Sequence, residues 1–331
     1  MARPLPKICF ITHGSPSIGG GHINRCSALA VEVAASGAFI YWLVNSEAEL
    51  MLHQKGFHKD AIFSLEDPFS VSPEKVVSIM EGMKPDLCVI DSYDATPPFI
   101  QKLRERCPVV LIDDCRARPV EEECDVLLNY NLGADLLGYA PGRASLLLGP
   151  KYTLLRNDFR GLVPEEGDTI LIIPGASDMH NVTESFIRWW KKGWPHAELV
   201  LGPLVEKGKC LRLSSMAEKK HNLSVMRDPP DLPERMSKAG AIICTSSVTS
   251  YEALSLRKPL AVFQVAENQH KIGEEIARQG LGVNLGKWGS FGQMEIGSVL
   301  KDLPLQPSAV VNLRGAEAAA RAMIVWFQGR R

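Results

Sequence analysis

Short apolar, β-prone runs alternate along the chain with stretches whose apolar positions recur at helical spacing. KICFITH (7–13) precedes GHINRCSALAVEVAAS (21–36), and FIYWLV (39–44) follows. Further strand-like runs are DLCVID (86–91), PVVLIDD (108–114) and DVLLNYN (125–131). Runs this apolar, separated by helices, predict parallel strands buried on both faces. The polar, turn-rich LVPEEGD (162–168) predicts a linker. After it the alternation restarts with TILIIPG (169–175), a helix near 180–192 and AELVLG (197–202). AGAIICTS (239–246) leads into a short helix from about 249, and KPLAVFQV (258–265) into ENQHKIGEEIARQG (267–280). An amphipathic helix over 307–328 completes the pattern.

Two successive arrays of this kind predict an α/β protein of two Rossmann-like, doubly wound parallel-sheet domains facing a cleft. The expected boundaries are 1–163 and 164–331, consistent with 331 residues at roughly 150 per domain. In such sheets ligands sit beyond the carboxyl ends of the strands, so the cleft is the expected site.

Composition narrows the function classes. Lys plus Arg number 37 against 38 Asp plus Glu, with no basic tail, so a nucleic-acid partner is not expected. A small anion remains possible, because backbone amides alone can hold a phosphate. No apolar stretch approaches the ~20 residues that span a bilayer, and MARPLPKICFITHG lacks a signal peptide's apolar region. The eight cysteines are scattered, without a CxxC pair or a Cys/His cluster at metal spacing. Cys9, Cys88 and Cys244 lie in apolar runs, where a free thiol behaves as a small hydrophobe. These features predict a reduced, cytoplasmic, metal-free chain, expected to be a monomer without a cofactor.

Four strand-to-helix junctions carry candidate chemistry. SIGGGHINRC (17–26) places three glycines before a helix, with His22 in its first turn and Arg25 one turn on. Glycines permit positive φ and close approach of a ligand, and the helix start favours an oxyanion. Gly20, Gly21, His22 and Arg25 are the candidates there, although a tight turn with a partly exposed histidine gives the same pattern. In CTSSVTSYEAL (244–254), Ser246 and Ser247 could hold a diphosphate and Glu252 a ribose diol. The plain alternative is a capping box with Thr249 as N-cap and Glu252 three residues on. VAENQ (265–269) offers Asn268, and PGASDMHNVT (174–183) offers Gly175, with Asp178 either a cap or a ligand. Asp91, Asp113 and Asp114 sit at strand ends, and the run Asp91-Ser92-Tyr93 stands out among them.

In order and location these segments resemble the PseG/SpsG family of nucleotide-sugar enzymes, similar in fold to the GT-B glycosyltransferases of peptidoglycan synthesis. The resemblance runs through IGGGHINR (18–25), IDSY (90–93), IDD (112–114), DVLLNYN (125–131), GPKYTLLRNDF (149–159), GASD with NVT (175–183), TSSVTSYEAL (245–254) and ENQ (267–269). It implies that His22 is the base activating water, that Tyr93 is an active-site tyrosine and that Asn268 faces the phosphates. It also implies that Ser246 and Ser247 cradle a diphosphate and Glu252 binds the ribose, with Gly175 on the nucleotide side. Pro174-Gly175-Ala176 departs from the family's usual Gly-Gly, and WWKKGW (189–194) has no counterpart.

The family's best-known activity, UDP-2,4-diacetamido-2,4,6-trideoxy-β-L-altropyranose hydrolysis toward pseudaminic acid, implies a UDP-sugar substrate. Water attacks C1 and inverts it; UDP leaves readily, so one base plus amide donors on the diphosphate suffices. A neutral histidine suits that base. The nearest alternative is a GT-B glycosyltransferase, in which an acceptor hydroxyl replaces water. A 2-epimerase would want further acid/base carboxylates, and a non-catalytic sugar-nucleotide binder would not need His22.

Overall fold

The computed structural model describes residues 5–15, 18–116, 119–140, 142–302 and 311–330. The chain forms two compact units, one centred on Gly20–Arg156 and the other on Asn157–Leu313. In chain order the first holds β1 (Lys7–Thr12), α1 (Gly21–Ala35), β2 (Phe39–Asn45), α2 (Ser46–Gln54), β3 (Ile62–Leu65) and α3 (Pro73–Met83). It continues with β4 (Leu87–Asp91), α4 (Pro97–Arg104), β5 (Val109–Ile112), β6 (Val126–Asn129) and β7 (Ser145–Leu148). The second holds β8 (Ile170–Ile173), α5 (Val182–Trp189), β9 (Ala197–Leu201), α6 (Lys207–Ala217), β10 (Leu223–Arg227) and α7 (Leu232–Lys238). There follow β11 (Ala241–Thr245), α8 (Val248–Ser255), β12 (Leu260–Gln264), α9 (His270–Arg278), β13 (Val283–Lys287) and α10 (Gln293–Asp302).

Both sheets are parallel throughout, as the apolar runs predict. Their orders are β3-β2-β1-β4-β5-β6-β7 and β10-β9-β8-β11-β12-β13. The central strands β4, β5, β6, β8, β11 and β12 are buried at every position. Helices cover their faces, and each sheet carries its own apolar cluster. In each sheet the strand order reverses beside the first strand, between β1 and β4 and between β8 and β11, which is where doubly wound sheets open a crevice.

The last helix departs from the expected boundary. α11 (Gly315–Gln328) belongs with the first unit, not the second. Its first residue explains the fit: a Cβ on Gly315 would lie 2.4 Å from the backbone of Thr153, so only glycine lets the helix seat there. The expected start of that helix at 307–310 lies outside the described residues, as do Ser17 and residues 1–4.

The Trp-rich segment ends α5 and packs into the core. Trp190 is buried, and its indole N–H donates to the Pro195 carbonyl (3.0 Å). Trp194 meets it edge-on at 5.0 Å, and Trp189 lies against Phe186, Trp288 and Phe291. Among the described residues no helix is long and apolar enough to cross a membrane. All eight cysteines are free thiols.

Candidate active site

In the first unit the glycine run works differently from its sequence expectation. Only Gly19 has positive φ (+85°); Gly20 is the N-cap of α1 at φ −101°, and Gly21 is the first helical residue. Gly20 supplies no side-chain cap, and its carbonyl accepts the Asn24 N–H (3.0 Å). Asn45, at the end of β2, fixes the turn by accepting the Gly14 N–H (3.1 Å) and donating to the Gly14 carbonyl (2.8 Å).

From this start, α1 sends His22, Arg25 and Cys26 down one face, as i, i+3 and i+4 spacing requires. That face meets Asp91, the last residue of β4, which is fully buried. His22 Nδ1 lies 2.7 Å from Asp91 Oδ1. Arg25 grips the same carboxylate bidentately, with Nε to Oδ2 at 2.6 Å and an Nη2 to Oδ1 at 2.5 Å. Its Nη1 donates to Asp114 Oδ2 (2.6 Å), which also accepts the Tyr93 hydroxyl (2.7 Å). The Tyr93 ring stands edge-on to His22, 4.9 Å between centroids.

Arg25 Nη2 also lies 3.0 Å from His22 Nδ1, so the tautomer has to be argued. A bare nitrogen lone pair 2.7 Å from a carboxylate oxygen would be repulsive. The proton therefore sits on Nδ1 and donates to Asp91, while the Arg25 N–H serves the carboxylate. Nε2, across the ring, is left with the lone pair a base needs.

The charges in this cluster are strongly coupled. Burial works against the Asp91 carboxylate, but the charges of Arg25 and then His22 hold it well below the usual carboxylate range. Burial also opposes the Arg25 charge, and Asp91 and Asp114 outweigh it, so the guanidinium stays ionised. Burial and then the Asp114 carboxylate push the Tyr93 phenol far above its ordinary value, so it remains a donor. One guanidinium faces two carboxylates, leaving one negative charge that an imidazolium at His22 would neutralise.

Three expectations change here. His22 is not the partly exposed histidine of a plain tight turn: it is 4% exposed and held by Asp91. Arg25 is equally buried, and its hydrogen bonds to Asp91 and Asp114 tie the two carboxylates together. Tyr93 is 44% exposed while its hydroxyl donates to Asp114.

Asp91 and Asp114, ambiguous in the sequence, emerge as the groups that organise the histidine. His13 and Ser92 were not singled out as site residues, yet they lie beside it. His13 follows β1, and its ring centroid is 5.9 Å from that of His22. The signal was available: adjacent parallel strands β1 and β4 end in register, Thr12 opposite Asp91, which brings the residues after them together.

In the second unit the candidate residues also gather at strand ends. Gly175 follows β8 with φ +103°, and a Cβ there would meet Thr245 Oγ1, on β11, at 3.9 Å. Ser246 is fully buried; its N–H donates to the Phe263 carbonyl (2.9 Å), and its hydroxyl is shared between the carbonyls of Phe263 and Gln269. It ties the turn together, its amide and hydroxyl protons both spent on these carbonyls. Ser247 is the N-cap of α8 and is half-buried, its hydroxyl 3.0 Å from Thr245 Oγ1. The helix ladder leaves the N–H groups of Val248 and Thr249 over at its start.

The capping box does not form. α8 begins at Val248, no acidic residue lies in its first turn, and Glu252 is its fifth residue, 6% exposed. Together with burial, Glu252 raises the thiol of nearby Cys244. Asn268 is half-buried in a short 3₁₀ turn, Glu267–Gln269, just after β12. Asp178 proves to be a cap: it accepts the Thr183 N–H of α5 (2.9 Å) and pairs with Lys209 (2.9 Å). Asp178, His180 and Asn181 all have positive φ, so this turn holds non-glycine residues in the left-handed region.

Asp113, Asp114 and Cys115 bring three potential metal-ligand atoms within 4.8 Å of one another. Most of their oxygens are engaged by protein donors, although Asp114 Oδ1 is buried without a hydrogen-bond partner. Asp113 Oδ1 already accepts two backbone N–H groups, and Oδ2 accepts the Tyr139 hydroxyl (2.6 Å). Asp114 Oδ2 accepts from Arg25 and from the Tyr93 hydroxyl.

No family model matches the chain. It is 22% identical over 284 residues to the UDP-2,4-diacetamido-2,4,6-trideoxy-β-L-altropyranose hydrolase of Campylobacter jejuni, covering 83% of this chain and 97% of that one. It is 22% identical to the spore coat polysaccharide biosynthesis protein SpsG of Bacillus subtilis over 81% of this chain and 80% of that protein. An uncharacterized protein of Methanocaldococcus jannaschii is 24% identical over 82% of the chain, which spans only 58% of that relative's length. Among solved structures, MurG of Acinetobacter baumannii superposes with TM-score 0.64 at 14% identity, covering 98% and 99% of the two chains. UDP-GlcNAc 2-epimerase of Neisseria meningitidis, bound to UDP-GlcNAc, superposes with TM-score 0.66 at 13% identity, covering 96% and 100%. The chain has the GT-B-like fold and is a distant homologue of the Campylobacter hydrolase and of SpsG.

Proposed function

We propose that the chain is a UDP-sugar hydrolase that cleaves the bond between the anomeric carbon and the UDP oxygen, with inversion at C1. The observation that carries this reading is the 2.7 Å contact between His22 Nδ1 and a buried, ionised Asp91. An imidazole oriented this way presents Nε2 as a general base and is stabilised once it takes a proton. Water loses its proton to Nε2 as its oxygen bonds to C1. The C1–O bond then breaks, and UDP departs with its electron pair. In the second unit, Gly175, Ser247, the start of α8, Glu252 and Asn268 would bind UDP. Gly175, Ser247, the start of α8 and Asn268 stand at or just beyond a strand's carboxyl end, where a parallel sheet binds its ligand, and Glu252 lies one turn further into α8.

The distant relationship to the Campylobacter hydrolase, along 97% of that protein's length, supports hydrolysis of a diacetamido-trideoxy UDP-sugar on a path to a nonulosonic acid or related glycan. The similarly folded epimerase of Neisseria meningitidis, bound to UDP-GlcNAc, supports the nucleotide. UDP should be released from such a sugar without any acceptor. Turnover in ¹⁸O-water, read before ring opening exchanges the label, should mark the anomeric oxygen and leave UDP unlabelled. Label in UDP would put the attack at phosphorus and remove this role from His22, and release only with an acceptor would make the chain a glycosyltransferase.

A further inference from the structure

Beside the His22–Asp91 pair lies a second polar chain that this hydrolysis does not use. His13 is 1% exposed, and its Nδ1 lies 3.2 Å from Asp67 Oδ2. Its Nε2 lies 2.9 Å from the hydroxyl oxygen of Ser92. Ser92 Oγ in turn accepts the Asp94 N–H (2.9 Å), and Asp67 Oδ1 accepts the Phe69 N–H (2.8 Å). With the imidazole neutral, the donors and acceptors allow one arrangement. Nδ1–H donates to Asp67, so Nε2 is the acceptor and the Ser92 hydroxyl must donate to it. Phe69 holds the imidazole edge-on at 4.8 Å, and a second carboxylate, Asp94, lies 3.8 Å from Nε2. Ser92 itself follows the central strand β4 at the point where the strand order reverses.

We propose that Ser92 is a nucleophile activated by His13 and Asp67, and that the chain hydrolyses small carboxylic esters of acetyl size. Ser92 is 8% exposed, which limits the acyl group that can reach its oxygen. As Oγ bonds to the acyl carbon, its proton passes to His13 Nε2. The ester oxygen leaves and takes that proton, giving an acyl-serine and a free alcohol. Water, deprotonated by the same nitrogen, then hydrolyses the acyl-serine to the carboxylic acid and restores the hydroxyl. Nothing in this sequence depends on UDP or on His22.

The test uses the full chain with an ethyl fluorophosphonate as the labelling reagent and p-nitrophenyl acetate as the ester. Mass spectrometry should find the phosphonyl adduct on the peptide containing Ser92, and Ser92→Ala should lose both the adduct and the esterase activity. His13→Asn should slow labelling by about 10²-fold or more, the ordinary worth of a general base. Should His13→Asn fail to fold, Asp67→Asn decides, since that side chain is 25% exposed; it should slow labelling at least about tenfold. An unlabelled Ser92, or labelling at the wild-type rate in a folded His13→Asn or Asp67→Asn protein, would overturn the proposal and reduce the chain to a tie between strand ends.

Discussion

His22 Nδ1 and Asp91 Oδ1 stand 2.7 Å apart, inside a cluster that also holds Arg25, Tyr93 and Asp114. This contact decides which ring nitrogen carries the proton. ¹⁵N NMR of histidine-labelled protein should find the Nδ1 of His22 protonated, facing Asp91. A proton on Nε2, with Nδ1 accepting from Arg25, would take the base away from the substrate side.

The Arg25 guanidinium is what allows Asp91 to be buried as an anion. Arg25→Met should cost about 3–5 kcal/mol in urea unfolding at pH 7, because it leaves two buried carboxylates without their cation. The pH dependence follows from the depressed Asp91 value. Its contribution is fully present above the carboxylate's unfolded pKa of about 4 and is lost as pH falls through the lower folded value. The wild type should therefore lose stability progressively as pH falls from about 4 toward the lower folded value, whereas Arg25→Met, in which burial is no longer opposed by the guanidinium, should lose little or none over that range. An Arg25→Met protein with the wild-type acid profile would show that the guanidinium is not what holds Asp91 ionised.

Glu252 is tested through the nucleotide alone. Because the capping box is absent, Glu252→Ala removes no first-turn cap. UDP binding measured by calorimetry should weaken by ~1.5–3 kcal/mol, the value of hydrogen bonds to a charged group. An unchanged dissociation constant in the folded variant would move the ribose elsewhere.

Catalysis should be indifferent to chelators. Helix starts can neutralise a diphosphate, and both oxygens of Asp113 and Oδ2 of Asp114 already accept from Tyr139, Arg25 and backbone amides. Full turnover is expected in EDTA. Loss of activity that Mg²⁺ or Mn²⁺ restores would assign a metal to the site.

The sequence was legible where burial was complete. Nine strands stand out as apolar runs, and the four that do not, β3, β7, β10 and β13, are the edges of the two sheets. Edge strands are partly solvated, so Ile62–Leu65, Ser145–Leu148, Leu223–Arg227 and Val283–Lys287 mix polar and apolar positions. Likewise α1 and the place of His22 and Arg25 on it follow from the glycine run and helical spacing. What Arg25 does with its charge could not be read, since Asp91 and Asp114 are 66 and 89 residues away. Ser246 shows the same limit from the other side: its serine-rich turn suggested a ligand, but its hydroxyl serves two carbonyls that only the fold brings near.

The most direct test is the turnover of His22→Asn with the diacetamido-trideoxy UDP-sugar, read as UDP release beside UDP affinity. The proposed base predicts kcat lower by ~10²–10⁴, with the dissociation constant for UDP nearly unchanged because the nucleotide is assigned to the second unit. A folded His22→Asn enzyme with near-normal kcat would contradict the account.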